Sequence, residues 1–117
     1  MKPTDLMIKD WVMVKVLSQI PNTYVLHTWT ANDYPRNLQV KPIPLTTEIL
    51  EKNGWARTGI FFTEKRIDEN THLSWSDTYG SVLYQNDYYM CDCNYVHTLQ
   101  HALRLCGLDE LANNFKV

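Results

Sequence analysis

The sequence predicts an α+β fold: an antiparallel sheet or partly open small barrel, with a short central helix and a C-terminal helix packed on the sheet. Three observations carry that expectation. Short runs of β-branched and aromatic residues alternate with turn residues between positions 10 and 93, as strands and their connections do. A proline-flanked segment at 45–54 carries helix-start and helix-stop residues. The stretch from Asn94 to Gly107 carries them again, around a longer apolar stripe.

Each element follows from its residues. Residues 10–17, Asp-Trp-Val-Met-Val-Lys-Val-Leu, form a first strand that ends before the turn signal Pro21-Asn22. Residues 23–29 form a second, turning through 31–35 into a third short strand at 37–41, so that 10–43 reads as an antiparallel meander. Pro42 and Pro44 lack the amide hydrogens a central strand needs, and the meander stops there. Thr46 then suits an N-cap, Leu45 and Leu50 fall at the positions of a hydrophobic staple, and Gly54 closes a short helix. Residues 55–66, 72–76, 79–85 and 87–93 read as successive antiparallel strands, with Asn86-Asp87 as a two-residue hairpin turn. The helical segment 94–115 covers that sheet. Asn94 is its expected cap, and Val96, Leu99, Leu103 and Cys106 share one stripe with Ala102 beside them. His97, Gln100, His101 and Arg104 lie off the stripe, and Leu108, Leu111 and Phe115 dock a last turn.

Composition bounds the function. A chain of 117 residues, 44% of them apolar, supplies one core, so a single domain spanning 1–117 is expected. Its formal charge of −2, from 11 basic and 13 acidic residues, lacks the basic excess that duplex nucleic acid demands of a partner. Three cysteines, Cys91, Cys93 and Cys106, with a polar start at Met1 to Asp5, point to a reducing cytoplasm. No apolar run approaches the roughly 20 residues that span a bilayer, so no membrane is expected either. The four glycines, at 54, 59, 80 and 107, have no phosphate-cradle spacing.

Two constellations have the outline of a site without its chemistry. His97 and His101 are four residues apart, the spacing of metal-binding helices, and are the only metal candidates. In the hydrolytic motif His-Glu-x-x-His the glutamate is the general base; here that position is Thr98, and the pair reads as a polar helix face. Cys91 and Cys93 point to one face of a strand, but one intervening residue is fewer than structural zinc sites use, and they read as buried, inert thiols. No cofactor is expected. What remains is a surplus of rings, Trp11, Trp29, Trp55, Trp75 and seven tyrosines, more polar-tipped aromatics than one small core takes in. Trp75, Tyr79, Tyr84 and Tyr88 gather in the later strands, with Arg57, Lys65 and Arg66 on or beside the segment 55–66. Guanidinium and aromatic faces together suit a small anionic, nucleotide-like ligand. Taken singly, the same charges suit a guarded strand edge.

The segments Lys2-Pro-Thr-Asp-Leu6, Asp10-Trp-Val12, Pro42-Ile-Pro-Leu-Thr46 with Glu48-Ile-Leu-Glu-Lys-Asn-Gly54, and Tyr95-Val-His-Thr-Leu-Gln100 resemble a group of small uncharacterised proteins of Bacteroides-type gut bacteria and their phages. The resemblance implies a small SH3-like barrel or barrel fragment before the proline block, shortened in this chain. It implies no catalytic residue. It also implies a context in which accessory proteins act by binding, either capturing a host protein or sequestering a nucleotide-derived signal of antiviral immunity. The expectation is therefore a non-enzymatic, phage- or mobile-element-type binding protein for a small anionic ligand. The alternatives are a protein-interaction module that captures a host protein or self-associates and, third, a metal- or thiol-dependent enzyme.

Overall fold

The computed structural model describes residues 1–16, 23–36, 38–78 and 80–117; Leu17, the turn signal Pro21-Asn22, Asn37 and the candidate Tyr79 lie outside them. The fold is α+β, with two antiparallel sheets of three and five strands, neither closed into a barrel. Contacts gather into two compact units: Met1–Ile43 with Tyr95–Asn114, and Pro44–Asn94 with Phe115–Val117.

In the first unit β1 (Trp11–Lys15) pairs with both β2 (Tyr24–Thr28) and β3 (Val40–Lys41), giving the order β2-β1-β3. This corrects the expected meander, in which the third strand would follow the second. The 3-10 segment Ala31–Arg36 lies between β2 and β3. Its buried Asp33 accepts the Thr30 amide (2.8 Å) and hydroxyl (3.0 Å) and meets His27 Nε2 at 2.7 Å, tying that turn to the end of β2. Strand alternation sends Val12 and Val14 inward, where they join Leu6, Trp29 and Val40 in one cluster.

Helix α2 (Val96–Leu105) belongs to this unit, with β1 as its sheet neighbour, whereas the sequence placed it over the later strands. Most of its predicted stripe is right: Val96, Leu99, Ala102 and Leu103 are buried, while Cys106, at the end of the stripe, is half-buried. Its predicted cap is not. Tyr95 holds the N-cap position without a side-chain bond, because the Val96 amide is already met by the Ile43 carbonyl at 2.9 Å. At the other end Gly107 adopts φ +76°, its amide bonds Arg104 O, and the Leu108 amide bonds Leu103 O, the Schellman closure that its glycine predicts. Helix α3 (Asp109–Asn113) follows.

The second unit opens with α1 (Thr47–Lys52), capped as predicted by Thr46 Oγ1 on the Ile49 amide at 3.2 Å. Leu45 and Leu50 are both buried, and Gly54 at φ +83° lets the Trp55 amide return to Leu50 O. Strands β4 (Ala56–Thr58), β5 (Phe62–Arg66), β6 (His72–Ser76), β7 (Val82–Gln85) and β8 (Tyr88–Asp92) then pair in chain order. Residues 55–66 are thus a hairpin and not one strand. Gly59, at φ +70°, starts a three-residue loop, and Thr58 pairs with Phe62 across it. The turn at Asn86 and Asp87 is as predicted: both lie at positive φ, 49° and 69°, the type I′ geometry, and Gln85 pairs with Tyr88. Leu73, Trp75, Leu83 and Cys93 are buried, and the Trp75 indole donates to Cys93 O at 2.8 Å.

Thr46→Ala removes the bond that caps α1, and Gly107→Ala places a Cβ at a left-handed position. Each is expected to cost about 1 kcal/mol of stability by urea unfolding. Equal midpoints for the variants and the parent would remove these two residues from the account of helix termination.

Candidate functional site

Strand register sorts the nominated residues onto opposite faces. Arg57, Thr63, Trp75 and Leu83 form one rung, and Lys65, Leu73, Gln85 and Tyr88 the next rung of the same face. Tyr84 and Arg66 belong to the other face, on the rungs of Glu64–Ser74 and His72. Trp75 is buried, and Tyr88 is 79% exposed at the end of its strand. Arg57 bonds Glu51 Oε1 at 2.8 Å and approaches Glu48 at 3.7 Å. Lys65 Nζ lies 3.4 Å from Asn53 O, and Arg66 donates to Glu69 O at 3.1 Å. The register therefore does not gather the six described candidates into one cluster, and each of the three cations is engaged close to its own element.

What the fold does gather is a cleft that the sequence did not single out. On the face opposite Trp75, β5 carries Phe62, β6 carries Ser74 and Ser76, and β7 carries Val82 and Tyr84. Adjacent strands are about 4.8 Å apart, so Phe62 and Tyr84 stand on strands separated by roughly twice that distance. The two serines on the strand between are too small to hold them apart. The rings lean across and meet edge to face, with centroids 5.9 Å apart and planes at 72°. With Phe61, Val82, Ser76 and Thr78 they line a cleft of about 340 Å³. The Ser76 and Thr78 hydroxyls lie 3.2 Å apart, and the Thr78 amide donates to Ser76 Oγ. Phe61 is 55% exposed, Phe62 41%, and the neighbouring Ile60 91%. The Phe-Phe pair two residues after Gly59 was the available signal. Read as the middle of one long strand, it would have put one ring on each face.

The first unit holds a second polar centre. Asp10 is fully buried; Arg104 Nη1 bonds its Oδ1 at 2.6 Å, His101 Nε2 meets its Oδ2, and the Met7 amide donates at 2.8 Å. Gln100, also fully buried, accepts the Trp11 amide and donates to Lys9 O and Ala112 O. The side of α2 expected to be a polar surface is thus an internal network. His97 packs between Tyr95, stacked at 5.9 Å, and His101, edge-on at 5.6 Å. Among the described residues no three His, Cys, Asp or Glu side chains are disposed to hold a metal. Burial pushes the Cys93 thiol up, with Cys91 adding to the shift, and burial also raises Cys106.

Compared with known proteins, the chain matches no family model, no curated protein and no solved structure. Among the described residues no helix is long and apolar enough to cross a membrane.

Burial works to raise the Asp10 carboxyl, but its bonds from His101, Arg104 and Met7 outweigh burial and hold it below the usual value of 3.8. The stability it contributes is present above that value and lost as pH falls through the lowered one. For His97, burial first and His101 second hold the imidazole below its ordinary 6.5. Unfolded chain then binds a proton that folded chain resists, so stability falls as pH drops below about 6.5. Replacing the ring in His97→Gln is expected to flatten that fall, measured by urea unfolding at about pH 7.5 and about pH 5.5. An equally steep loss in the variant would assign the acid sensitivity to other groups.

Proposed function

We propose that this chain is a non-enzymatic binding module, and that it holds a small ring-bearing or comparably apolar ligand in the cleft walled by Phe61, Phe62 and Tyr84. The observation that carries the reading is the partial exposure of Phe61 and Phe62 beside a concavity of about 340 Å³, within the size range of small-molecule sites. Aromatic walls with a few hydroxyls at the rim are the usual composition of such a site. Ser76 and Thr78 hydrogen-bond to each other in a turn, and among the described residues neither is bonded to a base that would activate a nucleophile. The binding role agrees with what the resemblance to phage and mobile-element accessory proteins implies. The nucleotide-like form of the ligand keeps support for its base, which the rings suit, and loses support for its phosphate, because Arg57, Lys65 and Arg66 are engaged elsewhere.

A second reading, capture of a protein, rests on Ile60, which is 91% exposed at the hairpin tip beside the same rings.

The test is an aromatic NMR titration with nucleosides, nucleotides, indole and other small ring compounds. Shifts confined to Phe61, Phe62 and Tyr84, with at least about a tenfold loss of affinity in Phe62→Ala, are expected. These resonances left unmoved by that panel and by small organic cations alike would overturn the small-ligand reading.

A further inference from the structure

Resting on the binding reading above, we infer that the cleft is selective for a positively charged, weakly hydrated group, and that its ligand is a free small molecule carrying an alkylated ammonium of the trimethylammonium kind. Two aromatic planes at 72° form a corner beside which one compact cation can lie against both rings, and Phe61 lines the same cleft. Ring faces are electron-rich, so a cation gains from each, and an anion is repelled by each. A quaternary ammonium has little hydration to lose on entering such a corner, unlike a primary ammonium.

The surrounding charge has the matching sign. No charged side chain is among the described residues lining the cleft. Nearest on the same face are carboxylates. Asp92 pairs with the cleft residue Val82, and Glu64 stands two residues along β5 from Phe62, on the rung of Tyr84. Asp77 lines a small adjoining recess together with Phe61 and Phe62. Arg57 also borders that recess, held by Glu51 and Glu48. The cations of the cleft's own face, Arg66 and any charged form of His72, sit one same-face rung beyond Glu64 and Tyr84, four residues or about 13 Å along the strand from Phe62 and two residues or about 7 Å from the rung of Tyr84. Arg66 is bonded to Glu69 O there, and His72 lies between Glu64 and Asp87. The hydroxyl oxygens of Ser76 and Thr78 retain lone pairs toward a cation's polarised methyl groups.

The experiment compares choline with its uncharged isostere 3,3-dimethylbutan-1-ol, by calorimetry and by the aromatic resonances of the full chain. Choline is expected to bind at least about tenfold more tightly than the isostere. Tyr84→Leu and Phe62→Leu, which keep apolar bulk and remove the π face, are expected to abolish that preference. Glu64→Gln is expected to weaken choline severalfold and to reduce its salt dependence, and because it keeps the size and shape of a half-buried side chain it keeps the test open if a ring variant fails to fold. Equal binding of the two compounds overturns the charge selectivity while the cleft survives as a binding site. Neutral ring compounds that shift Phe61, Phe62 and Tyr84 while choline does not have the same meaning. If neither choline nor the ring panel moves these resonances, both readings fall. Sedimentation with phosphatidylcholine vesicles, while free choline has no effect, overturns the free-solute ligand.

Discussion

A carboxylate wholly out of water governs the first unit. Desolvating Asp10 is costly by several kcal/mol, and the cost is recovered only with well-placed partners and saturated lone pairs. Arg104, His101 and the Met7 amide supply them. Removing one partner of such a centre costs roughly 3–5 kcal/mol, because the remaining charge stays buried. The polar side of α2 is therefore committed to residues 7–11: Gln100 takes the Trp11 amide and Lys9 O, and Arg104 reaches Ile8 O. Lys9 itself sits at φ +74°, a region that a side chain disfavours. It stays there because its amide bonds Trp29 O and the next amide bonds Met7 O, closing the turn that delivers Asp10.

That commitment explains why histidines at metal-binding spacing form no metal site among the described residues. A helical pair offers two ligands only if both imidazoles are free to turn toward one point. His101 is directed at Asp10, and His97 is packed between two rings with its Nδ1 buried and without a partner among the described residues. Around Asp10 and Gln100 the polar groups satisfy one another, and His97 stands at the margin of that network.

Most elements were legible because their signals are local. Thr46 acts through a hydroxyl on an amide three residues on, Gly54, Gly107 and the Asn86-Asp87 turn act through their own backbone conformations, and each does what its chemistry predicts. The apolar stripe of α2 was legible for the same reason, being set by helical spacing alone. What escaped the sequence depends on contacts far along the chain. Asp10 reads as the polar start of a strand until Arg104 is brought to it, and the Asn94 cap fails because Ile43 O already occupies the Val96 amide. The nominated site residues are divided between two faces by register. Alternation alone puts Arg57 and Lys65 on one face and Arg66 on the other, and the registers of β5 with β6 and of β6 with β7 decide which of them Tyr84 joins; a single step of register would exchange the faces. Those long-range registers, which no local signal states, set Arg57 and Tyr84 on opposite sides.

The same pleat makes the aromatic cleft a firm feature. Phe62 and Tyr84 stand on β5 and β7, each paired on both sides, so neither wall rests on a free edge. The distance between their backbones is fixed by two ladder spacings, and the approach of the rings is set by Ser74 and Ser76 on the strand between. Larger residues at those serines would prop the rings apart and fill the floor. A site whose walls are already in place spends little of its binding energy on ordering them, which is the condition under which a small ligand with few contacts is held at all. The rings' exposure points the same way. Burying a phenylalanine fully is worth about 1.5–3 kcal/mol, and this sheet leaves both Phe61 and Phe62 partly in water beside a preformed concavity.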